Sequence, residues 1–149
     1  MSEVPALAFT LEEIRDYLAR VFPQIGPGES VEIEAIAPLS ARVRMRHDDR
    51  HLRPGGTISG PTIFALADVA LYVATLAQVG RYALAVTTNL NLNFLSKAAP
   101  GDLIGDATIL KLGKRLVVGE VAIRSVGAPR LIAHATGTYS LPSRGDAVS

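Results

Sequence analysis

The sequence predicts a single α+β domain, residues 1–149. A curved antiparallel sheet of five or six strands wraps one long central helix, with a short helix ahead of it. Three observations predict this. Residues 60–80, GPTIFALADVALYVATLAQVG, are apolar all round, since Ile63, Phe64, Leu66, Val69, Leu71, Val73 and Leu76 cannot share one helical face. A helix of that kind is buried. Six other stretches read as strands with one apolar face each, and they need something to cover. A sheet cannot close around every side of a helix, so leftover apolar surface and an open sheet edge predict self-association, as a homodimer or as a tetramer of paired dimers.

The elements follow in chain order. TLEEIRDYLARVF sets Thr10 and Glu13 at capping-box spacing, and Leu11, Ile14, Leu18 and Val21 then mark one helical face. SVEIEAI alternates Val31 and Ile33 with Glu32 and Glu34. ARVRMR alternates Val43 and Met45 with Arg42, Arg44 and Arg46, a solvated strand face. RPGGTISGP, residues 53–61, leads into the long helix with Pro61 suited to its first turn. NLNLNF alternates Leu90, Leu92 and Phe94 with Asn89, Asn91 and Asn93. After Pro100 come DLIGDATILKL, RLVVGEVAIRSV and RLIAHATGTYSL, split by Gly113-Lys114 and Gly127-Ala128-Pro129 as in a hairpin meander. Residues 144–149 read as a frayed tail.

Composition narrows the function classes. Apolar residues make up 48% and charged residues 19%, and the net charge of +1 gives no overall pull toward nucleic acid. With no cysteine, thiolate catalysis, disulfides and zinc-thiolate sites are excluded. The N-terminus carries Glu3 and no basic segment ahead of an apolar run, so no secretory signal is expected and a cytoplasmic location is. A membrane span is the other home for residues 61–79, but a central Asp costs about 2.5–3.5 kcal/mol on insertion scales. No membrane, nucleic-acid or metal partner is expected, and His47, His51 and His134 fall at no metal-ligand spacing.

Asp68 is the one charge in residues 60–80. An ionised carboxylate there is costly unless paired or hydrogen-bonded. It reads either as a structural carboxylate inside a subunit interface or as a base or nucleophile. Tyr72, one turn on, either hydrogen-bonds it or packs its ring. Thr87 and Thr88 offer a hydroxyl to orient a water or the carboxylate, or serve simply as strand formers. Gly60 begins the helix, where unpaired N–H groups at the positive end of the dipole can face a carbonyl oxygen or an anion. Lys111, Lys114 and Arg115 cluster at a hairpin, as a solvated turn or as a hold for phosphates. No Gly-x-Ser-x-Gly elbow, Walker loop or dinucleotide fingerprint occurs.

GGTISGPTIFALADVALYVA, followed by TTNLNLNFLSKAAPGDLIGDATI, resembles the phenylacetate-degradation-type acyl-CoA thioesterases of the hotdog superfamily. The likeness runs over residues 40–141. It implies the same helix-in-sheet fold, an acyl-CoA substrate and a site shared across a dimer interface. No separate cofactor is implied, because coenzyme A belongs to the substrate. Position by position, Asp68 matches the catalytic carboxylate, Gly60 the glycine whose N–H polarises the thioester carbonyl, and Thr87 a hydroxyl that assists the attacking water. Lys114 and Arg115 are the basic side chains expected near the coenzyme A phosphates. In the turn, Ser59 and Pro61 replace the family's histidine and second glycine, and Arg53 stands where members often carry asparagine.

The expected reaction is hydrolysis of a medium-chain or aromatic acyl-CoA, with Ile58, Ile63 and Phe64 lining the acyl pocket beside Ser59 and Arg53. A hotdog protein that binds or senses acyl-CoA without hydrolysing it is the alternative. A hydratase would want a histidine paired with a carboxylate, and neither the helix nor its leading turn has one.

Overall fold

The computed structural model describes residues 4–25 and 30–149. Glu3, on which the reading against a secretory signal leans, lies outside them. Helix α1 spans Leu11–Val21. Its capping box forms as predicted: Glu13 N–H donates to Thr10 Oγ1 at 3.1 Å, and Thr10 N–H donates to Glu13 Oε1 at 2.9 Å. Ile14, Tyr17 and Leu18 carry its buried face.

The long helix α2 spans Gly60–Val79. Six strands wrap it: β1 (Val31–Ala37), β2 (Ser40–Met45), β3 (Val86–Phe94), β4 (Leu103–Leu112), β5 (Leu116–Ser125) and β6 (Leu131–Ser140). They form one antiparallel sheet in the order β1-β2-β4-β5-β6-β3, so the predicted meander is β4-β5-β6, and β1 and β3 are the edges. By length and composition α2 could cross a membrane, yet twelve of its 20 residues are buried inside the protein. It is the core.

Small residues let helix and sheet approach closely. Leu71 of α2 sits in a notch floored by two strand glycines. A Cβ at Gly119 would lie 2.5 Å from Leu71 Cδ1 and 2.8 Å from the Thr108 carbonyl oxygen, and one at Gly137 would lie 3.0 Å from Leu71 Cδ2. Packed interiors tolerate no such overlap.

The wrap is incomplete where two edges meet. On α2, Pro61, Phe64 and Ala65 are exposed and Asp68 and Val69 half-buried. Beside them β3 is exposed along most of its length, with Leu90 and Leu92 half-buried over the helix. Phe94, expected with those leucines on the covered face, is 56% exposed. The strand runs past the start of α2 there, so the ring lies over Gly60 instead of over the core.

Two further expectations change. Residues 144–149, read as a frayed tail, are tied down: Val148 N–H donates to the Arg81 carbonyl at 2.7 Å, Tyr17 Oη donates to the Val148 carbonyl at 2.7 Å, and an Arg20 N–H donates to the Ser149 carbonyl at 2.5 Å. Arg42, Arg44 and Arg46 do not stand in water alone. They pair with Asp106 (2.7 Å), with Asp102 (2.9 Å) and Glu34 (3.2 Å), and with Glu32, across strands and the adjoining loop.

Candidate active site

The Asp68 carboxylate has two unlike oxygens. Oδ1 accepts from Thr87 Oγ1 at 2.7 Å and from Tyr139 Oη at 2.5 Å. The Tyr139 hydroxyl also lies 3.0 Å from the carbonyl of Asp68 itself. Oδ2 has no partner among the described residues. Donors on one oxygen fix the plane of a carboxylate and leave the other free to take a proton or attack.

A β-bulge makes this arrangement. β3 pairs Thr87 with Tyr139 and Asn89 with Thr138, so Thr88 is the extra residue. Alternation back from Leu90 would turn Thr88 inward. The bulge reverses it, and Thr87 faces the helix beside Tyr139 while Thr88 Oγ1 donates to the Thr138 carbonyl at 3.2 Å. Tyr139 is buried, and burial first, then its bond to Asp68, push its phenol well above the ordinary tyrosine range. A phenol shifted that way keeps its proton and remains a donor at any working pH. Tyr72 packs its ring against Tyr139 (5.8 Å between centroids) and gives its hydroxyl to the Ala83 carbonyl at 2.7 Å. Burial pushes it up to about 12. Of the two roles open to it, the structure selects packing.

The start of α2 is built separately. Ser59 N–H donates to the His51 carbonyl at 2.8 Å and Ile58 N–H to the Ala98 carbonyl at 2.9 Å. Ser59 then serves as the N-cap, its Oγ accepting from Thr62 N–H at 3.4 Å and lying 2.8 Å from Thr62 Oγ1. The next N–H, that of Gly60, has no acceptor among the described residues. Gly60 itself lines a cleft of about 370 Å³ whose walls also include Arg53, Ile58, Ile63, Phe94 and Lys97.

A model of the thioesterase superfamily matches residues 55–130, which span this helix start, Asp68, Thr87 and β4-β5. The chain belongs to the thioesterase superfamily. A putative thioesterase from Silicibacter sp. TM1040 is 48% identical and superposes with a TM-score of 0.85 over 94% of this chain and 96% of its own. A putative esterase of Pseudomonas aeruginosa is 35% identical over 101 residues, 67% of this chain and 74% of that protein. The phenylacetic acid degradation protein PaaI of Thermus thermophilus, in a mutant form, is 26% identical, with a TM-score of 0.66 over 74% of this chain and 92% of that one. The wrapped helix is thus the hotdog fold of this thioesterase superfamily, and thioester hydrolysis is its chemistry.

Set against that chemistry, the sequence-predicted residues fall into three places. Arg53, Ile58, Gly60 and Ile63 meet at the cleft, and Asp68 and Thr87 meet two helical turns away. Phe64 is 41% exposed on α2 and does not line the cleft, nor does Ser59, whose side chain caps the helix. Lys114 and Arg115 lie at the β4-β5 turn, where Lys114 flanks a depression with Val79 at the far end of α2. Among the described residues no three His, Asp or Glu converge as metal ligands do.

Tyr139 was not picked out from the sequence, although a signal existed. On the inward positions of β6, Ala133, Ala135 and Gly137 lead to a single tyrosine. A buried phenol needs a partner for its hydroxyl. Tyr139→Phe is expected to lower kcat about tenfold with the fold retained, the scale of one hydrogen bond to a charged group. Steady-state turnover beside a melting curve checks this, and unchanged turnover would reduce Tyr139 to packing.

Proposed function

We propose that the protein hydrolyses acyl-CoA thioesters, with Asp68 as base or nucleophile and the Gly60 N–H as oxyanion donor. The observation that carries this is the half-buried Asp68 carboxylate, held through Oδ1 by two hydroxyls and open at Oδ2. In the general-base route, Oδ2 takes a proton from water as its oxygen bonds to the thioester carbon. The carbonyl oxygen gains negative charge and accepts from the Gly60 N–H. Collapse breaks the carbon–sulfur bond, and the coenzyme A thiolate leaves with the proton from Asp68. In the nucleophilic route Oδ2 itself bonds to the carbon, expels the thiolate as an anhydride forms, and water then hydrolyses that anhydride.

One chain does not complete the site. Gly60 and Asp68 are eight positions apart on one helix, about 12 Å along its axis. Both must come within about 3 Å of the same reacting group. A second copy laid against the exposed stripe of α2 would bring Asp68 of the partner subunit to this Gly60. The surface there is apolar enough for the purpose, with Phe64 of α2 41% exposed and Val86 and Phe94 of the unpaired edge strand β3 57% and 56% exposed. Sedimentation at micromolar concentration should therefore give a dimer or a tetramer. A folded monomer that turns over substrate would sink the shared site.

Release of free thiol from acetyl-, hexanoyl-, decanoyl- and phenylacetyl-CoA tests the activity itself. Ile58 and Ile63 favour apolar acyl groups, and each buried CH₂ contributes about 0.8 kcal/mol, so kcat/KM should rise a few-fold per carbon until the cleft is full. Binding of acyl-CoA without thiol release would favour a sensor, and the replacement of the family's histidine by Ser59 is the feature that would explain it.

A further inference from the structure

We propose that Arg53 and Lys97 read a carboxylate at the far end of the acyl group, which makes ω-carboxyacyl thioesters the preferred substrate class. This rests on the reading of Gly60 as the oxyanion donor. The two cations stand on the walls of the Gly60 cleft, both exposed, and no Asp or Glu of the same chain lines it. Arg42, Arg44 and Arg46 on the sheet each engage a carboxylate. Arg53 and Lys97, among the described residues, engage none.

Backbone bonds hold the two segments that carry the cations. Arg53 N–H donates to the Thr57 carbonyl at 2.9 Å, and its own carbonyl accepts from Gly56 N–H at 2.9 Å, closing the turn that carries it. The 2.9 Å bond from Ile58 N–H to the Ala98 carbonyl ties the Lys97 segment to the same strip of chain. Ile58, Ile63 and the Phe94 ring supply apolar surface to the same lining. A ligand that fits has a polarised carbonyl at one end, methylenes in the middle and an anion at the other.

The phosphates of coenzyme A meet that description poorly. With the thioester carbonyl on Gly60, the whole pantetheine arm separates the phosphates from the reacting carbon. An acyl chain of a few carbons ends within the cleft. Both cations are exposed, so the effect is moderate and screened by salt.

Hexanoyl-CoA and adipoyl-CoA have six acyl carbons each and differ by the terminal carboxylate. Wild-type protein should favour adipoyl-CoA about fivefold in kcat/KM at low ionic strength, a preference that shrinks with added salt. Arg53→Gln with Lys97→Gln should collapse the ratio to about one. The same ratio should appear in Kd on the Asp68→Asn protein, titrated calorimetrically, where hydrolysis is slowed at least about a hundredfold. Equal turnover of the two esters by the wild type would overturn the proposal and leave the hydrolase reading intact. So would equal losses on both esters in the double variant, which would give the cations to a part common to both. A binding preference with no thiol release would uphold the carboxylate reading while the hydrolase reading failed.

Discussion

Asp68→Asn is expected to lower kcat by at least about a hundredfold, the scale of losing a general base, while the protein stays folded and associated. The geometry makes the substitution clean. The asparagine oxygen can take the place of Oδ1 and accept from Thr87 and Tyr139 as before. The amide group then occupies the position of Oδ2, where it neither takes a proton from water nor attacks carbon. Losing a half-buried charge should cost the fold little, since its desolvation penalty disappears with it. Thiol release and a melting curve on the same preparation separate the two effects. Undiminished turnover would make Asp68 a structural carboxylate of the subunit interface.

A graded series at Gly60 should give the second large effect. A Cβ there would meet the Phe94 ring at 3.3 Å, and that ring is free enough on its outer side to yield. Gly60→Ala should therefore cost about tenfold or less in kcat. Gly60→Val adds two methyl groups against the same ring and pushes the helix start away from its N–H direction. Its loss should approach that of an oxyanion donor, about 10²–10³ in kcat. The N-cap bonds of Ser59 lie one residue upstream, so the helix should persist and circular dichroism should be unchanged. Normal turnover by the valine variant would remove Gly60 from the oxyanion role.

Much of this was legible in the sequence because burial writes itself as periodicity. The helix over residues 60–79 was visible as a stretch apolar on every side, and the strands as alternation. Asp68 stood out because a lone charge in such a stretch needs a reason. The choice between Thr87 and Thr88 was not legible, since it turns on a one-residue bulge set by the register of β3 against β6. Tyr139 was hidden for a related reason: nothing local says which helix position a strand residue will face. The docked tail depends on Tyr17 and Arg20 of α1, more than a hundred residues away in sequence, and its polar composition pointed to solvent.

The glycine notch has a bearing on how such a site can be altered. Leu71 follows Asp68 by one helical turn and drops between Gly119 and Gly137 like a detent ball into its seat. The helix can neither slide nor roll to suit a new ligand without climbing out of that seat, so the carboxylate is a fixed datum. Only the rim is adjustable: the 53–57 turn at one side of the cleft and the 94–98 segment at the other. Anyone retooling the molecule for a different acyl group would leave the bed alone and machine the jaws.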